Sequence, residues 1–383
     1  MADTFSGSIA EDNVQFPIET VIQPIAGENY SRAVIYIPLS QVTEYLPGSN
    51  AEAGSMIEVN SSNYGSLTAG LLKTWLVPFF TSAQAAIIGL AVYNDAEPVA
   101  PVEGEEQETL TNTLSEVYQA TKYYGYFKFG ITNDTNYVTL QGELAALCVA
   151  DTLYSRLWVG TSDTNLLTGT SALISALNNN PARVIYNPDT EINAALAQLG
   201  ATLSVVNATG TPVGNSVDMV GFNTIGASGA DDAEGNPTNL TPTQKTALDS
   251  QRVGYNTYVG DGTNNVVTEG SFYTNGDSVG AEWVKSYITY LCKVQTANLM
   301  SRMNTYKNNG TYQGILLILQ NIVKGFLDLG RLANFVLTAP VFADLPPANG
   351  DTITVPNAWK ADYIDNVRSV TVYGTLYITQ PTR

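Results

Sequence analysis

Apolar residues recur along this chain with two alternating periods. From Leu67 to Phe80, Leu71, Leu72, Trp75, Leu76 and Phe79 return at three- and four-residue steps, which predicts a helix that Pro78 ends or kinks near its last turn. Ala86–Tyr93 is short, continuous and apolar, the signature of a buried strand. Arg32–Pro38, Tyr123–Ile131, Arg156–Gly160 and Arg183–Tyr186 read as further strands, and Leu140–Leu153 and Glu191–Leu199 as helices. Strands and helices taking turns at this spacing predict an α/β layer with partly parallel pairing.

The pattern sharpens after a Gly/Asn/Asp-rich stretch at Thr209–Asn239, where only weak strands are expected. Thr241-Pro242-Thr243-Gln244 sets an N-cap threonine before a proline at the first helical position. Tyr255–Val259 reads as a strand, Gly260–Asn265 as a turn, and Val266–Tyr273 as a strand broken by Gly270. Trp283 then opens a long helix with Val284, Tyr287, Ile288, Leu291, Cys292 and Leu299 on one face. Ile315–Phe335 predicts another helix, interrupted by Gly325 and Gly330. The last segment, Val367–Thr379, alternates strictly. Val370, Val372, Leu376 and Ile378 fall on one side, and Ser369, Thr371, Tyr373, Thr375 and Tyr377 on the other. An extended strand of this kind can add to a sheet edge. Residues 1–27 show no sustained period and contain Pro17 and Pro24, as an extended arm would.

Composition removes whole classes of chemistry. The 383 residues include no histidine, so His-based zinc sites and Ser-His-Asp or Cys-His catalysis are out of reach. Cys148 and Cys292 both fall in apolar helical segments and are expected to be buried thiols. The net charge is −18 with no Lys/Arg cluster, which argues against direct nucleic-acid contact. Only 14% of residues are charged, below the roughly 25% of an average domain. Such a surface can be covered by neighbours without stranding many charges. The N-terminus lacks the pattern of a signal peptide. The most apolar run, Gly314–Val323, is shorter than the roughly 20 residues of a bilayer span. No membrane insertion is expected.

Carboxylates are the remaining raw material for catalysis. They gather in the Pro-punctuated loop Glu97–Glu108, at Glu103–Glu108, and in Asp231-Asp232-Ala233-Glu234. Neither group has a positioned partner on the sequence, so no catalytic, cofactor or metal site is expected. Basic residues are distributed unevenly. Lys285, Lys293, Arg302, Lys307, Lys324 and Arg331 lie on or beside the two late helices, either as ordinary solvated helix faces or as a surface for an acidic partner.

Several segments, taken in order, resemble the contractile tail sheath proteins of bacteriophages. KYYGYFKFGITNDTNYVTLQGELAALCVADTLYSRLWVGTSDT, with Thr132-Asn133-Asp134 and Arg156–Asp163, is similar to that family's outer domain. ARVIYNPD, EINAALAQLGATL, LTPTQKTAL, VGYNTYVGDG and TEGSFYTNGDSVGAEWVK follow in the expected order. The chain lacks the Pro-Gly-Val-Tyr sequence and the late Ala-His pair found in many sheaths. The resemblance implies a multi-domain α/β subunit: an N-terminal arm at 1–27, an outer α/β domain at 28–252, an inner α+β polymerising domain at 253–366, and a C-terminal strand at 367–383. It implies a structural, non-enzymatic homo-oligomer of stacked rings forming a helical tube around a tail tube protein, with baseplate and tail terminator proteins as further partners. The subunit would assemble in the host cytoplasm and reside in the virion, where contraction drives the tube through the host envelope for genome delivery. Val367, Val370, Val372, Tyr373, Leu376, Tyr377 and Ile378 would form the inter-subunit strand. Lys285, Lys293, Arg302, Lys307, Lys324 and Arg331 would face the tube. A non-contractile virion protein, tail tube or capsid-associated, is the alternative.

Overall fold

The computed structural model describes residues 32–68, 70–82, 86–95, 109–121, 124–132, 136–151, 155–204, 225–259, 266–270, 272–302, 309–345 and 358–363. The N-terminal arm, the acidic loop at 97–108, the turn at 260–265 and the alternating C-terminal strand lie outside the described residues.

Eight strands form one mixed sheet: β1 (Ala33–Pro38), β2 (Met56–Asn60), β3 (Ile87–Tyr93), β4 (Phe127–Gly130), β5 (Arg156–Thr161), β6 (Ala182–Tyr186), β7 (Gly254–Tyr258) and β8 (Val266–Glu269). Their spatial order is β2-β3-β1-β4-β5-β6-β7-β8. The six strands from β3 to β7 pair in parallel, and β2 and β8 close the edges antiparallel. Central β1 and β4 are buried throughout, as parallel strands covered on both faces must be. The sheet runs through β7 and β8, across the 252/253 boundary drawn on the sequence.

Alternation along the strands sorts the core into two layers. Ile35, Ile37, Leu90, Val92, Phe127, Phe129 and Trp158 point to one face. There they meet α1 (Leu71–Ser82) and α5 (Ala194–Ser204). Val34, Tyr36, Tyr93, Leu157 and Val184 point to the other face, under α2 (Leu110–Thr121), α3 (Tyr137–Ala150), α4 (Ala172–Leu177) and α6 (Pro242–Ser250). Each large apolar side chain so buried contributes about 1.5–3 kcal/mol. α1 and α5 touch backbone to backbone: a Cβ on Gly200 would lie 2.7 Å from the Phe79 Cα.

Several expectations were displaced. Pro78 sits inside α1, and the helix runs on to Ser82. Pro78 brings no N–H to the helix ladder, and burial of Phe79 and Phe80 outweighs that loss. α7 (Val279–Arg302) starts a turn before Trp283. α8 (Asn309–Asp328) does not continue to Phe335. Gly330 adopts φ +67°. Its N–H donates to the Leu327 carbonyl, and the Arg331 N–H donates to that of Phe326, both at 2.9 Å. This is a Schellman stop, after which β9 (Leu332–Leu337) pairs antiparallel with β10 (Trp359–Tyr363). The N-cap Thr241 and the proline at the start of α6 are as expected, and Thr241 and Gln244 also form a reciprocal capping box.

Candidate assembly interface

The late helices are fixed to the sheet by buried charge. The Arg156 guanidinium, at the start of β5, donates to Glu282 of α7 at 2.6 Å, with both side chains largely buried. Burial opposes ionisation of Glu282, but Arg156 and then Lys285 hold its carboxyl below the usual range. Burial likewise works against the Arg156 charge. Tyr126, Tyr273 and Glu282 outweigh it and hold the guanidinium firmly protonated. Tyr126 and Tyr273 bring their hydroxyls within 3.4 Å beside this pair. The loop before α7 is sewn to β6 by Thr274, whose N–H donates to the Ala182 carbonyl at 3.0 Å. The buried Arg183 donates to the Gly270 and Phe272 carbonyls.

α7 and α8 enclose a hollow of about 300 Å³. Trp283 stacks on Tyr287 with centroids 5.1 Å apart, and Tyr287 meets Phe326 edge-on at 6.0 Å. Leu291, Ile322 and Leu329 complete the apolar wall, and Gln295, Asn321 and Arg331 supply its polar groups. Exposed apolar side chains gather nearby in sequence: Leu317 (56%), Leu329 (60%), Val336 (45%) and Val341 (63%). Among the described residues β9 pairs only with β10. Exposed apolar groups of this kind suit contact with another protein.

The basic residues expected to dock a partner differ in their surroundings. Lys285 bonds Glu282 at 3.2 Å, and Lys324 pairs with Asp328 at 3.6 Å. Arg331 is 8% exposed, in the wall of the hollow. Lys293 and Arg302 lie on α7. Lys307 and the strand residues Val367, Val370, Val372, Tyr373, Leu376, Tyr377 and Ile378 lie outside the described residues. The Lys285 and Lys324 side chains are 58% and 69% exposed beside these acids.

The Asp231-Asp232-Ala233-Glu234 cluster is a turn. Asp232 Oδ1 accepts from the Asn236 N–H at 2.8 Å and the Glu234 N–H at 3.0 Å. The Asn236 backbone and side chain hold its carboxyl below the usual range. Both cysteines are free and buried, and burial pushes their thiols up, to about 11 for Cys148 and about 12 for Cys292. No helix among the described residues is long and apolar enough to cross a membrane.

One constellation escaped the sequence reading. Lys128, fully buried in β4, donates to the Thr121 carbonyl at 2.9 Å and lies 5.1 Å from the Tyr118 ring centroid. Burial lowers it to about 8, against the opposing pull of Asp151 and Cys148. Tyr118 and Ser155 both donate to Asp151, at 3.0 and 2.5 Å. The available signal was Lys128 standing between Phe127 and Phe129 in an otherwise apolar strand. Lys128, Cys148, Ser155 and Asp151 are all buried, so the cluster joins α2 and α3 to the sheet and offers a substrate no access.

No family model matches the chain, and no curated protein matches it in sequence. In fold it is similar to a chain in the cryo-EM structure of the anti-feeding prophage (AFP) baseplate, 6-fold symmetrised. The TM-score is 0.58 at 14% identity, over 95% of this chain and 98% of that one.

Proposed function

We propose that this chain is a structural subunit of a phage-like contractile injection system. The observation that carries the reading is fold likeness over nearly the full length of both chains, to a chain from the AFP baseplate structure. A likeness confined to the α/β sheet would be compatible with many activities. This one extends over 95% of the chain, so it reaches beyond the sheet into the late helices. Within that class we place the chain as a sheath-type subunit that stacks in rings around an inner tube.

The physical case rests on the late segment. Exposed Leu317, Leu329, Val336 and Val341 are suited to burial by a neighbour. The alternating sequence Val367–Thr379 is suited to strand addition in a neighbouring copy. Head-to-tail contacts of that kind generate rings where the rotation closes and helical filaments where it does not. Main-chain links of this type tolerate rigid-body movement of the subunits, as contraction requires. The 6-fold baseplate context of the similar chain favours a second placement, at the baseplate end of the same apparatus.

Truncation tests the reading. Removing residues 367–383 is expected to leave a folded protein that stays in the supernatant under conditions where the full chain pellets as polymer. Equal pelleting of both would remove the terminal strand from the assembly.

A further inference from the structure

Glycine inside a helix is destabilising relative to alanine, and its use there admits a close neighbour. In α3 and α5 that neighbour belongs to the same chain. A Cβ on Gly142 would lie 2.9 Å from the Ala176 carbonyl oxygen, and one on Gly200 would lie 2.7 Å from the Phe79 Cα. Gly325, near the end of α8, is different. It is exposed, its φ is not left-handed, and a Cβ there would meet nothing within 4 Å among the described residues. It lies in the wall of the α7–α8 hollow, where it leaves a notch that another chain can enter.

The hollow has the form of a groove. α7 and α8 run antiparallel, since Tyr287 meets Phe326 while a Cβ on Gly314 would lie 3.4 Å from Leu299. Trp283, Tyr287, Leu291 and Gln295 follow at four-residue steps on one side, and Ile322, Gly325, Phe326 and Leu329 line the other. From Trp283 to Gln295 the groove is about 18 Å long. Apolar grooves of this shape take helices.

α3 offers a matching ridge. Its sequence YVTLQGELAALCVA is apolar on all sides, the pattern of a helix covered all round. Leu140, Leu144, Ala145 and Cys148 are buried in the core layer beneath it. Val138, Ala146, Val149 and Ala150 form a second stripe that is exposed, and it too is about 18 Å long. Trp283 and Phe326 belong to the core layer on the opposite face of the sheet, so ridge and groove of one copy point apart. Charge agrees with a contact between copies. α3 holds one charged residue, Glu143, and the lining of the hollow holds one, Arg331. Residues 279–363 carry seven of the 17 Lys and Arg but five of the 35 Asp and Glu. The late segment is therefore net positive and suits the strongly acidic remainder of a neighbour.

We propose that the α7–α8 hollow of one copy seats α3 of the next, with Ala146 and Ala150 over Gly325. The inference rests on the reading of the chain as a self-assembling subunit, and it assigns the surfaces through which copies meet. Groove and ridge are different patches, so the contact is head-to-tail.

Directional cross-linking of the full chain tests this. Gly325→Cys and Ala146→Cys are made separately, the native Cys148 and Cys292 being buried. Under conditions where the wild-type chain pellets, a short bismaleimide added to a mixture of the two should give a band at twice the monomer mass. Its yield is expected to be at least fivefold above that from either variant alone, because position 325 meets position 146 and not its own counterpart. Gly325→Trp builds outward from a site with nothing within 4 Å of its Cβ. It should lower pelleting at least tenfold with an unchanged melting temperature. A mixed yield no higher than the single-variant controls, or wild-type pelleting by Gly325→Trp, would overturn the assignment while leaving assembly itself in place. A wild-type chain that never pellets would overturn both.

Discussion

Glu282 and Arg156 meet 2.6 Å apart with little water around them, and two consequences follow at the scale of single residues. Removing one partner strands the other, so Glu282→Ala is expected to cost about 3–5 kcal/mol. Replacing both, with Arg156→Met and Glu282→Leu, should restore more than half of that. Urea denaturation of the three proteins measures it, and an additive double variant would deny the coupling. Lys128 gives a pH-dependent counterpart. Its amine is lowered from 10.5 to about 8 by burial, so between those values the unfolded chain holds a proton that the folded chain has released. Stability from this group therefore rises with pH across that window, by on the order of 3 kcal/mol. Cys148, pushed up to about 11, and the buried tyrosines act in the opposite sense at higher pH. The clean measurement is wild type minus Lys128→Met: the difference should move in favour of wild type from pH 8 to 10.5, and a flat difference would contradict the assignment. None of these partnerships was readable in the sequence. Arg156 and Glu282 lie 126 positions apart, and neither helix nor strand periodicity reports which buried charges meet.

At the scale of elements, legibility followed the strength of the local signal. The N-cap Thr241 and Pro242 lie within one turn, and the structure carries both as expected. Strands β1, β3, β5 and β6 were legible because each is a short apolar run. The helix Leu110–Thr121 went unread, since its mixed LTNTLSEVYQAT sequence packs on tertiary contacts through Leu114, Val117 and Tyr118. β9 was read as helix because LANFVL suits either state, and the stop depends on one left-handed glycine. Gly330→Ala should accordingly cost about 1–2 kcal/mol, read as a lowered melting temperature. A neutral result would mean that β9–β10 pairing, and not the glycine, ends α8. Of the candidate interface, the basic residues could be found on the sequence, but their intrachain partners could not. Glu282 and Asp328 stand three and four residues from Lys285 and Lys324, a spacing that equally describes solvated helix faces.

The described residues combine an α/β body with a late segment of two helices and a small sheet. Both faces of the eight-stranded sheet are covered by helices, whereas Leu317, Leu329, Val336 and Val341 of the late segment are exposed. With a net charge of −18, copies repel one another at low salt, so polymerisation should be promoted by ionic strength. The central claim is that the chain builds a polymer, and negative-stain electron microscopy of the purified full chain, concentrated at moderate salt, tests it most directly. The account predicts rings or hollow striated tubes of uniform width. Dispersed monomers at every concentration and salt would contradict it.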